Sequence, residues 1–496
     1  MIKGTLLNKE IDPKAVLLIA LACVLCLVYF ILFVCVGSAI SVGRDTIVIV
    51  SWVGLLEILI SLIIWKKLTG QYFNLFSIFL SFVAVFNFGQ CILWALGIID
   101  SSQIISCILY RTIECTYSDI AKAQILFLMA YIVLNCGGIC GYNVRKDCRK
   151  QMNNLQFDTE LQIILYRTSL VLACFSVPLT LFGVIQNFVY GQIYSYHDLY
   201  YGSISNDLNS PLLVLASALF IPSLLGLLLG SQYNRATRRN VYIIFFLYAL
   251  ISLLCGDRGE WVQPLLILVW ADLYFYKKRS ARSILLVVVL CFFSLYLINA
   301  LVSVRNIGLS LDSFLWALSQ EENPLVELLE EFGTSMSVTI IVLKDSIGAL
   351  YGDSFFMSIP TVLSTSLWNS ISGTEYVQVS QWFPFEYLGL NFGTDFSLIA
   401  EPVLNYGVYF APVVYFIEGY FVAKLISCIT DKNSSLLFQC LALASLVFIV
   451  KYARSTFWYV LYNVFWTVVP FLIVYFFIKS IHLARSKSVK HNYVSE

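Results

Sequence analysis

The sequence predicts an all-α, polytopic integral membrane protein, and three observations lead to that prediction. Of its 496 residues, 59% are hydrophobic and only 12% are charged, against about 25% charged residues in soluble domains. The mean hydropathy is +0.82. The apolar residues gather in runs, many of which reach the roughly 20 residues that a helix needs to cross a bilayer. This composition excludes a soluble globular protein, a disordered chain and a fibrous repeat, and the net charge of +1 gives no basic field for nucleic acid.

Twelve apolar runs account for the predicted transmembrane helices. They cover residues 15–40, 46–65, 73–99, 120–142, 162–186, 211–231, 241–255, 262–276, 284–304, 408–429, 435–452 and 456–479. Runs 241–255 and 262–276 are short for a crossing, so we expect flanking residues to complete them. The first run is too long for a signal peptide and lacks a small-residue cleavage signature, so we interpret it as a membrane helix.

The Lys and Arg residues between the runs predict the orientation. With the N-terminus placed inside, the inner segments hold 21 of the 31 Lys and Arg residues and the outer segments hold six. Because basic loops stay on the cytoplasmic side, this bias places both termini in the cytoplasm. A missed helix would break the alternation, so the bias also supports twelve helices.

The chain is predicted to divide into three segments. These are nine transmembrane helices in 1–304, one large extracytoplasmic loop domain in 305–407, and three helices with a basic cytoplasmic tail in 408–496. Within the loop, 325–343 has apolar residues at helical spacing with one polar face. Segment 355–370 is apolar but interrupted by Pro360, which predicts a short helix on the outer membrane surface. A loop of this length is usually functional.

We expect no cofactor and no metal site. The chain has 14 cysteines, most of them inside apolar runs, where a thiol behaves as a small hydrophobe. Its three histidines are His197, His482 and His491. Their scarcity argues against metal chemistry by histidine clusters.

The densest polar signal is the turn Cys-Gly-Asp-Arg-Gly-Glu at 255–260, between two apolar runs at the predicted outer face. Glycines on either side of Asp257 and Arg258 allow a tight turn. The Arg258 guanidinium is permanently charged, and its planar fork matches phosphate oxygens. The alternative is a plain hairpin turn in which Arg258 pairs with Asp257 or Glu260.

Two further arginines occupy predicted outer turns. Arg305 ends the ninth run, and Arg454 lies between the last two runs, with Lys451 one helical turn earlier. Three arginines around one rim indicate a polyanion site, such as one for a lipid diphosphate. For Arg305 the alternative of a plain anchor at the lipid headgroups stays open.

A candidate proton acceptor comes at the end of the large loop. Ser397, Glu401 and Asn405 are four residues apart and would share one helix face. Pro402 suggests that the helix bends or restarts there. A carboxylate in a mostly apolar segment can serve as a base. The alternative is an ion pair between Glu401 and one of the arginines.

Aromatic residues mark two outer loops. The large loop holds Trp368, Tyr376, Trp382, Phe383, Phe385 and Tyr387. Aromatic faces suit sugar rings and equally suit the bilayer interface, so both interpretations stay open for Trp382 and its neighbours. His197, in the tyrosine-rich loop 190–210, is the one histidine assigned to the outer face and a further candidate base, although most lone loop histidines have no such role.

Four short motifs carry a resemblance to a known family. They are Gly-Asp-Arg-Gly-Glu at 256–260, Glu-Phe-Gly-Thr-Ser at 331–335, Phe-Ser-Leu-Ile-Ala-Glu-Pro-Val-Leu-Asn-Tyr-Gly at 396–407, and Arg454-Ser455 before the last run. At these residues the sequence resembles the bacterial O-antigen or capsule repeat-unit polymerases of the Wzy type. The large outer loop has no histidine, which favours a polymerase over the related O-antigen ligases.

The resemblance implies a GT-C-like glycosyltransferase at the outer face of the bacterial cytoplasmic membrane. Donor and acceptor would both be glycans linked to undecaprenyl diphosphate, with a chain-length regulator protein as a further partner. Arg258 and Arg454 would stabilise the leaving diphosphate in place of a metal, Arg305 would help to hold it, and Glu401 would deprotonate the acceptor hydroxyl. The second choices for the base are Glu331 and Glu386. The remaining predicted substrate-binding residues are Asp257, Glu260, Asn405, Trp382 and His197.

A transporter or flippase for lipid-linked oligosaccharides is the main alternative. That class predicts paired broken helices near the membrane midplane and a visible internal repeat. Here the charged candidates gather at one face, next to a single large outer loop, which favours surface chemistry. An O-antigen ligase-like transferase remains a second alternative.

Overall fold

The computed structural model describes most of the chain. The described residues are 13–38, 42–99, 115–142, 159–193, 210–255, 260–276, 311–320, 323–345, 347, 350–373, 376, 378–390, 393–394, 396–431 and 433–494. Their regular structure is helical throughout. The membrane-length helices are α1 (Pro13–Ser38), α2 (Arg44–Thr69), α3 (Leu75–Ala95), α4 (Tyr117–Gly141), α5 (Thr159–Ile193), α6 (Pro211–Gly230) and α7 (Arg235–Leu254).

Shorter helices follow along the chain, and three long helices end it. The short ones are α8 (Val262–Ala271, continued by a π-helix, Asp272–Tyr276), α9 (Leu311–Gln320), α10 (Pro324–Phe332), α11 (Ser335–Lys344), α12 (Asp353–Phe356), α13 (Ser358–Thr361), α14 (Thr365–Ser372) and α15 (Val379–Gln381, continued by a π-helix, Trp382–Tyr387). The long ones are α16 (Ala400–Ile429), α17 (Leu436–Lys451, followed by a 3-10 turn, Tyr452–Arg454) and α18 (Phe457–Val494).

Ten of the described helices, α1 to α7 and α16 to α18, are long and apolar enough to cross a membrane. They correspond to ten of the twelve predicted runs. Flanking residues complete run 241–255 to the 20-residue α7, as expected, whereas run 262–276 stays short as α8 and its π-helix. Run 284–304 lies outside the described residues, so the total of twelve stays a prediction.

The helices pack into two compact units. The first combines Met1–Arg145, Leu329–Gly352 and Phe396–Ser427. The second combines Lys146–Leu328, Asp353–Asp395 and Cys428–Glu496. Each unit takes residues from all three segments into which the sequence was divided.

In the first unit, α4 and α16 cross at glycines. A Cβ added to Gly137 would lie 2.0 Å from the Phe416 carbonyl oxygen, and one added to Gly419 would lie 2.1 Å from the Leu134 carbonyl oxygen. Gly141, one turn along α4, is equally crowded. Small residues at such crossings let two backbones approach closely, which favours helix association inside a membrane.

Gly419→Ala should therefore destabilise the protein. The added methyl group would push α16 away from the α4 backbone, and overpacking of this kind typically costs about 1–3 kcal/mol. A thermal melt in detergent, followed by size-exclusion chromatography, should show a lower midpoint than for the wild type. Gly43→Ala is the matched control, since a Cβ there meets nothing within 4 Å. Equal midpoints for the two variants would contradict the prediction.

Two predicted elements differ from the structure because of glycines. The expected helix over 325–343 is two helices, α10 and α11, separated at Gly333, where a Cβ would lie 2.5 Å from the Gln90 backbone nitrogen. Helix α16 begins at Ala400, close to the restart that Pro402 suggested, but its break comes at Gly407, which has φ 71° and ψ 172°. Only glycine adopts such a conformation without strain.

Segment 355–370 is helical, as three short helices rather than one. α12 to α14 lie in the second unit, and two tryptophans of α18 bond to the last residue of α13 and to the residue after it. The Trp458 indole donates to the Thr361 hydroxyl at 3.1 Å, and the Trp466 indole donates to the Val362 carbonyl at 3.2 Å. The apolar side chains Phe356, Ile359, Leu363, Leu367 and Ile371 remain exposed. An exposed apolar stripe of this kind suits contact with lipid.

A partly buried ion pair joins α7 to the π-helix that follows α8. Arg238 holds Asp272 with both arms of its fork, from Nε to Oδ1 at 2.6 Å and from Nη2 to Oδ2 at 3.0 Å. The Asp272 side chain is only 3% exposed. The Tyr276 ring lies 4.5 Å from the guanidinium carbon.

Arg238→Ala should lower the stability of the second unit by about 3–5 kcal/mol, because it removes the opposite charge from a buried carboxylate. The midpoint of unfolding in detergent measures this loss. Arg239→Ala removes an exposed arginine from the next position of the same helix and serves as the control. If both variants have the same midpoint of unfolding, the ion pair does not stabilise the contact between these two elements.

Candidate active site

Six helix ends in the second unit surround a cavity of about 360 Å³. They are the C-terminal parts of α5, α7 and α17 and the N-terminal parts of α6, α8 and α18. The alternation of basic loops predicts the outer face for all six ends, and in the structure these ends lie around one cavity. The polar lining residues are Thr180, Asn187, Ser217, Tyr248, Ser252, Glu260, Gln263, Lys451, Tyr459 and Asn463.

One ion pair lies in the lining of the cavity. The Lys451 Nζ atom is 3.0 Å from Glu260 Oε1 and 4.9 Å from the centre of the Tyr459 ring. The Lys451 side chain is 27% exposed and that of Glu260 is 58% exposed. The ammonium lowers the pKa of the Glu260 carboxyl below its ordinary value, since a nearby opposite charge favours the ionised form.

This pair should make a small, pH-dependent contribution to stability. Because the folded-state pKa of Glu260 is lowered, the contribution is present at neutral pH and disappears as the pH falls through that lowered value. Glu260→Gln should remove the contribution, and the effect is small because the carboxyl is half-exposed. Midpoints of unfolding between neutral and acidic pH measure it.

The control for the pH effect is Lys451→Met. It should remove the same pH-dependent part, and the double variant should lose no more of it than either single variant. Two additive losses would show that the residues do not act as a pair.

Two oxygen atoms of the lining lack hydrogen-bond partners among the described residues. They are Thr180 Oγ1 and Gln263 Oε1. Thr180 is 5% exposed and Gln263 is 3% exposed. Buried polar atoms are normally paired, since an unpaired one costs about 1–3 kcal/mol.

The structure describes one of the three predicted arginines. Arg454 lies in the 3-10 turn after α17, partly buried and three residues beyond Lys451. Asp257, Arg258, Arg305 and His197 lie outside the described residues, so the arginine rim stays a prediction. Cys255 and Glu260, the two described residues on either side of Asp257 and Arg258, both line the cavity.

Glu401 lies in the first unit, in the first turn of α16, and its side chain is fully enclosed at 0% exposure. Ser397 precedes this helix, and its hydroxyl oxygen accepts from the backbone nitrogens of Ile399 at 3.0 Å and of Ala400, the first helical residue, at 3.2 Å. The same hydroxyl donates to Asn87 Oδ1 at 2.6 Å. The Asn405 amide donates to the Glu401 carbonyl at 2.8 Å. All three predicted residues are therefore buried together, with Ser397 before the helix rather than on it.

The other two candidate carboxylates are exposed. Glu331 is near the end of α10 in the first unit, and Glu386 is in the π-helix after α15 in the second. Trp382 begins that π-helix, and its ring centre lies 5.3 Å from that of Tyr387. Phe383 is buried and stacks on Tyr387 at 5.8 Å.

Most of the cavity residues are not evident from the sequence. Lys451 stands out there only as a neighbour of Arg454, and Thr180, Asn187, Gln263 and Asn463 do not stand out. The available signal was their position within or at the end of apolar runs, because polar groups at membrane depth are functional candidates. Across the described ranges, no group of three or more His, Cys, Asp or Glu residues is arranged to hold a metal ion.

Comparison with known protein families gives a match over nearly the whole chain. A family model for the O-antigen polysaccharide polymerase Wzy matches residues 19–484. Neither a curated protein nor a solved structure matches the chain. The family match covers nearly the full length and includes every helix end around the cavity. The chain therefore belongs to the O-antigen polysaccharide polymerase Wzy family, which makes it a multi-pass membrane enzyme of the glycosyltransferase type.

Proposed function

We propose that this protein joins oligosaccharide repeat units linked to undecaprenyl diphosphate at the outer face of the bacterial cytoplasmic membrane. The observation that carries this proposal is the family match over residues 19–484. The cavity supports it, because it lies where six helix ends meet and where the turn containing Arg258 begins and ends. Both chain termini would lie in the cytoplasm, and the helices would form a GT-C-like bundle.

The reaction transfers the growing glycan from its lipid to a single lipid-linked repeat unit. The bond between the anomeric carbon and the diphosphate oxygen breaks, and a bond from that carbon to an acceptor hydroxyl oxygen forms. The acceptor proton goes to a carboxylate, and undecaprenyl diphosphate leaves with the bonding electron pair. A direct attack of this kind inverts the anomeric centre.

Arginines are suited to this leaving group. Negative charge develops on the diphosphate as the glycosyl bond breaks, and donors already in place stabilise it most where water is scarce. We assign this role to Arg258 and Arg454, without a metal ion, and assign to Arg305 the holding of the diphosphate. The partly buried position of Arg454, one turn beyond the cavity residue Lys451, supports its part of the assignment.

Glu401 is the first choice for the base. A carboxyl enclosed in a membrane-spanning helix is costly, and such groups are functional candidates by default. Because the side chain is fully buried, the acceptor must displace part of its cover before proton transfer. Glu331 and Glu386, which are exposed, are the second choices.

The remaining residues would contact the glycans or hold those that do. Asp257, Asn405, Trp382 and His197 keep the substrate-binding roles that the sequence suggested. Glu260 would act through Lys451, whose ammonium it holds at 3.0 Å. A chain-length regulator protein is the expected protein partner.

The test is a reconstitution from purified components. The protein would be mixed in detergent with lipid-linked repeat units from cells that lack it, in the presence of EDTA and without any nucleotide sugar. A ladder of products spaced by one repeat unit on a gel is the expected result. Intact substrate beside a folded protein would overturn the proposal.

One observation favours a second function. Helix α16 is broken at Gly407 inside a membrane-length segment, and discontinuous helices are typical of transporters. A flippase for lipid-linked oligosaccharides would move its substrate across proteoliposomes without forming polymer. An O-antigen ligase-like enzyme would instead transfer the glycan to a different acceptor, and the ladder would be missing.

A further inference from the structure

Most polar residues that line the cavity of the second unit have no role in the proposed reaction. Its described lining has two charged residues, Lys451 and Glu260, and these neutralise each other at 3.0 Å. The other polar groups are amides and hydroxyls, among them Asn187, Gln263 and Thr180. The described lining is therefore polar but has no net charge.

This charge balance leaves the described lining residues with no unpaired cation to bind a diphosphate, which we assign instead to the neighbouring arginines. Phosphate oxygens are bound by arginines or unpaired cations, whereas the one described cation of the lining is already paired. A hydrocarbon chain does not suit these residues either, because it would leave Thr180 Oγ1 and Gln263 Oε1 buried without partners. A neutral ligand with several hydroxyl groups satisfies both requirements.

The size and the walls of the cavity suit a sugar. A volume of about 360 Å³ lies at the small end of ligand pockets, which span about 300–1,000 Å³. Tyr248, Phe448 and Tyr459 contribute aromatic side chains to the lining. Aromatic rings pack against the apolar face of a sugar ring, while amides and hydroxyls bond to its rim.

We infer that the cavity binds a sugar residue of the lipid-linked repeat unit, and that Thr180 and Gln263 bond to hydroxyl groups of that sugar. This inference rests on the proposed function, because it takes the substrate to be a glycan. A sugar next to a diphosphate suits the cavity's position, since Arg454 follows the lining residue Lys451 by three residues. Thr180 and Gln263 thereby act as specificity-determining residues for the repeat unit.

The test compares the natural repeat unit with analogues that lack one hydroxyl group. For the wild type, removal of the bonded hydroxyl should lower kcat/KM by about 10- to 100-fold, since it leaves a buried oxygen of the protein unpaired. Thr180→Val and Gln263→Leu should lower kcat/KM for the natural unit by a similar factor. Each variant should no longer distinguish the natural unit from the matching deoxy analogue.

Matched controls separate recognition from stability. Thr168→Val removes a hydroxyl of the same helix that already bonds to the Ile164 carbonyl at 2.8 Å. Gln162→Leu removes a buried glutamine that bonds to Gln232 at 2.6 Å, outside the cavity. Whatever these controls do to the yield of folded protein, the ratio of kcat/KM between the natural and deoxy units should stay that of the wild type.

Two results would overturn the inference. One is that no deoxy analogue differs from the natural unit for the wild type. The other is that Thr180→Val and Gln263→Leu lower kcat/KM for both units equally. In either case polymer still forms, so the proposed function stands.

A binding measurement covers the remaining case, in which the wild type forms no polymer. The probe is the free oligosaccharide released from its lipid by mild acid, titrated onto the whole protein in detergent. Binding that weakens at least 10-fold in Gln263→Leu but not in Gln162→Leu would support the sugar site while the polymerase proposal fails. Absence of binding would overturn both.

Discussion

Arg258→Ala should lower the rate of polymer synthesis by about 10²- to 10³-fold in the reconstituted reaction. This is the usual loss when one preorganised donor to a developing negative charge is removed. Arg258→Lys should recover little of the rate, because the ammonium lacks the planar fork that matches two phosphate oxygens. Single-turnover rates with a fixed lipid-linked donor measure the effect.

The control for Arg258 is another arginine that the loops assign to the outer face. Arg44 begins α2 in the first unit and is exposed, so Arg44→Ala should leave the rate close to that of the wild type. Arg454→Ala should resemble Arg258→Ala, since both are assigned to the same leaving group. Near-normal polymer length and yield with Arg258→Ala would show that the assignment is wrong.

Glu401→Gln should lower the rate by about 10²- to 10⁴-fold, the range expected for loss of a general base. Glutamine has nearly the same shape, so the fully enclosed site should keep its packing. The two interpretations of Glu401 differ in a second readout, which is thermal stability. A base loses rate at an unchanged midpoint of unfolding, whereas an ion pair with an arginine loses stability as well.

Three other carboxylates are changed for comparison, one as a control and two as alternative bases. Glu330→Gln changes an exposed carboxylate beside Glu331 and should leave the rate unchanged. If Glu401→Gln keeps its activity while Glu331→Gln or Glu386→Gln loses it, the base is the exposed residue. That result would assign Glu401 to the structure of α16.

The sequence alone determined the membrane class and most of the spans. Ten of twelve apolar runs are membrane-length helices, because the length and hydropathy of a span are local properties. The alternation of basic loops also assigned six helix ends to one face, and these ends surround the cavity. Short motifs were enough for the family, which the match over residues 19–484 confirms.

Only the tertiary structure decided where helices break. Gly333 separates α10 from α11 because the backbone of α3 lies against it, and a sequence does not show which neighbour comes that close. Gly407 interrupts α16 with φ 71°, while other glycines of the chain lie within helices. A glycine permits a positive φ, but the surrounding packing decides whether it is adopted.

The candidate site also depends on the tertiary structure, because its residues are distant in sequence and come together only when the helices pack. Glu260 and Lys451 are 191 positions apart, and their pairing requires that α8 and α17 meet at the same depth. Thr180 and Gln263 became candidates only through burial and the lack of a partner in the described chain. Hydropathy gives the mean apolar character of a segment. Which polar atoms come within hydrogen-bonding distance depends instead on which helix faces pack against each other. The sequence therefore determined the membrane helices and the family, and the packing of the second unit determined the cavity.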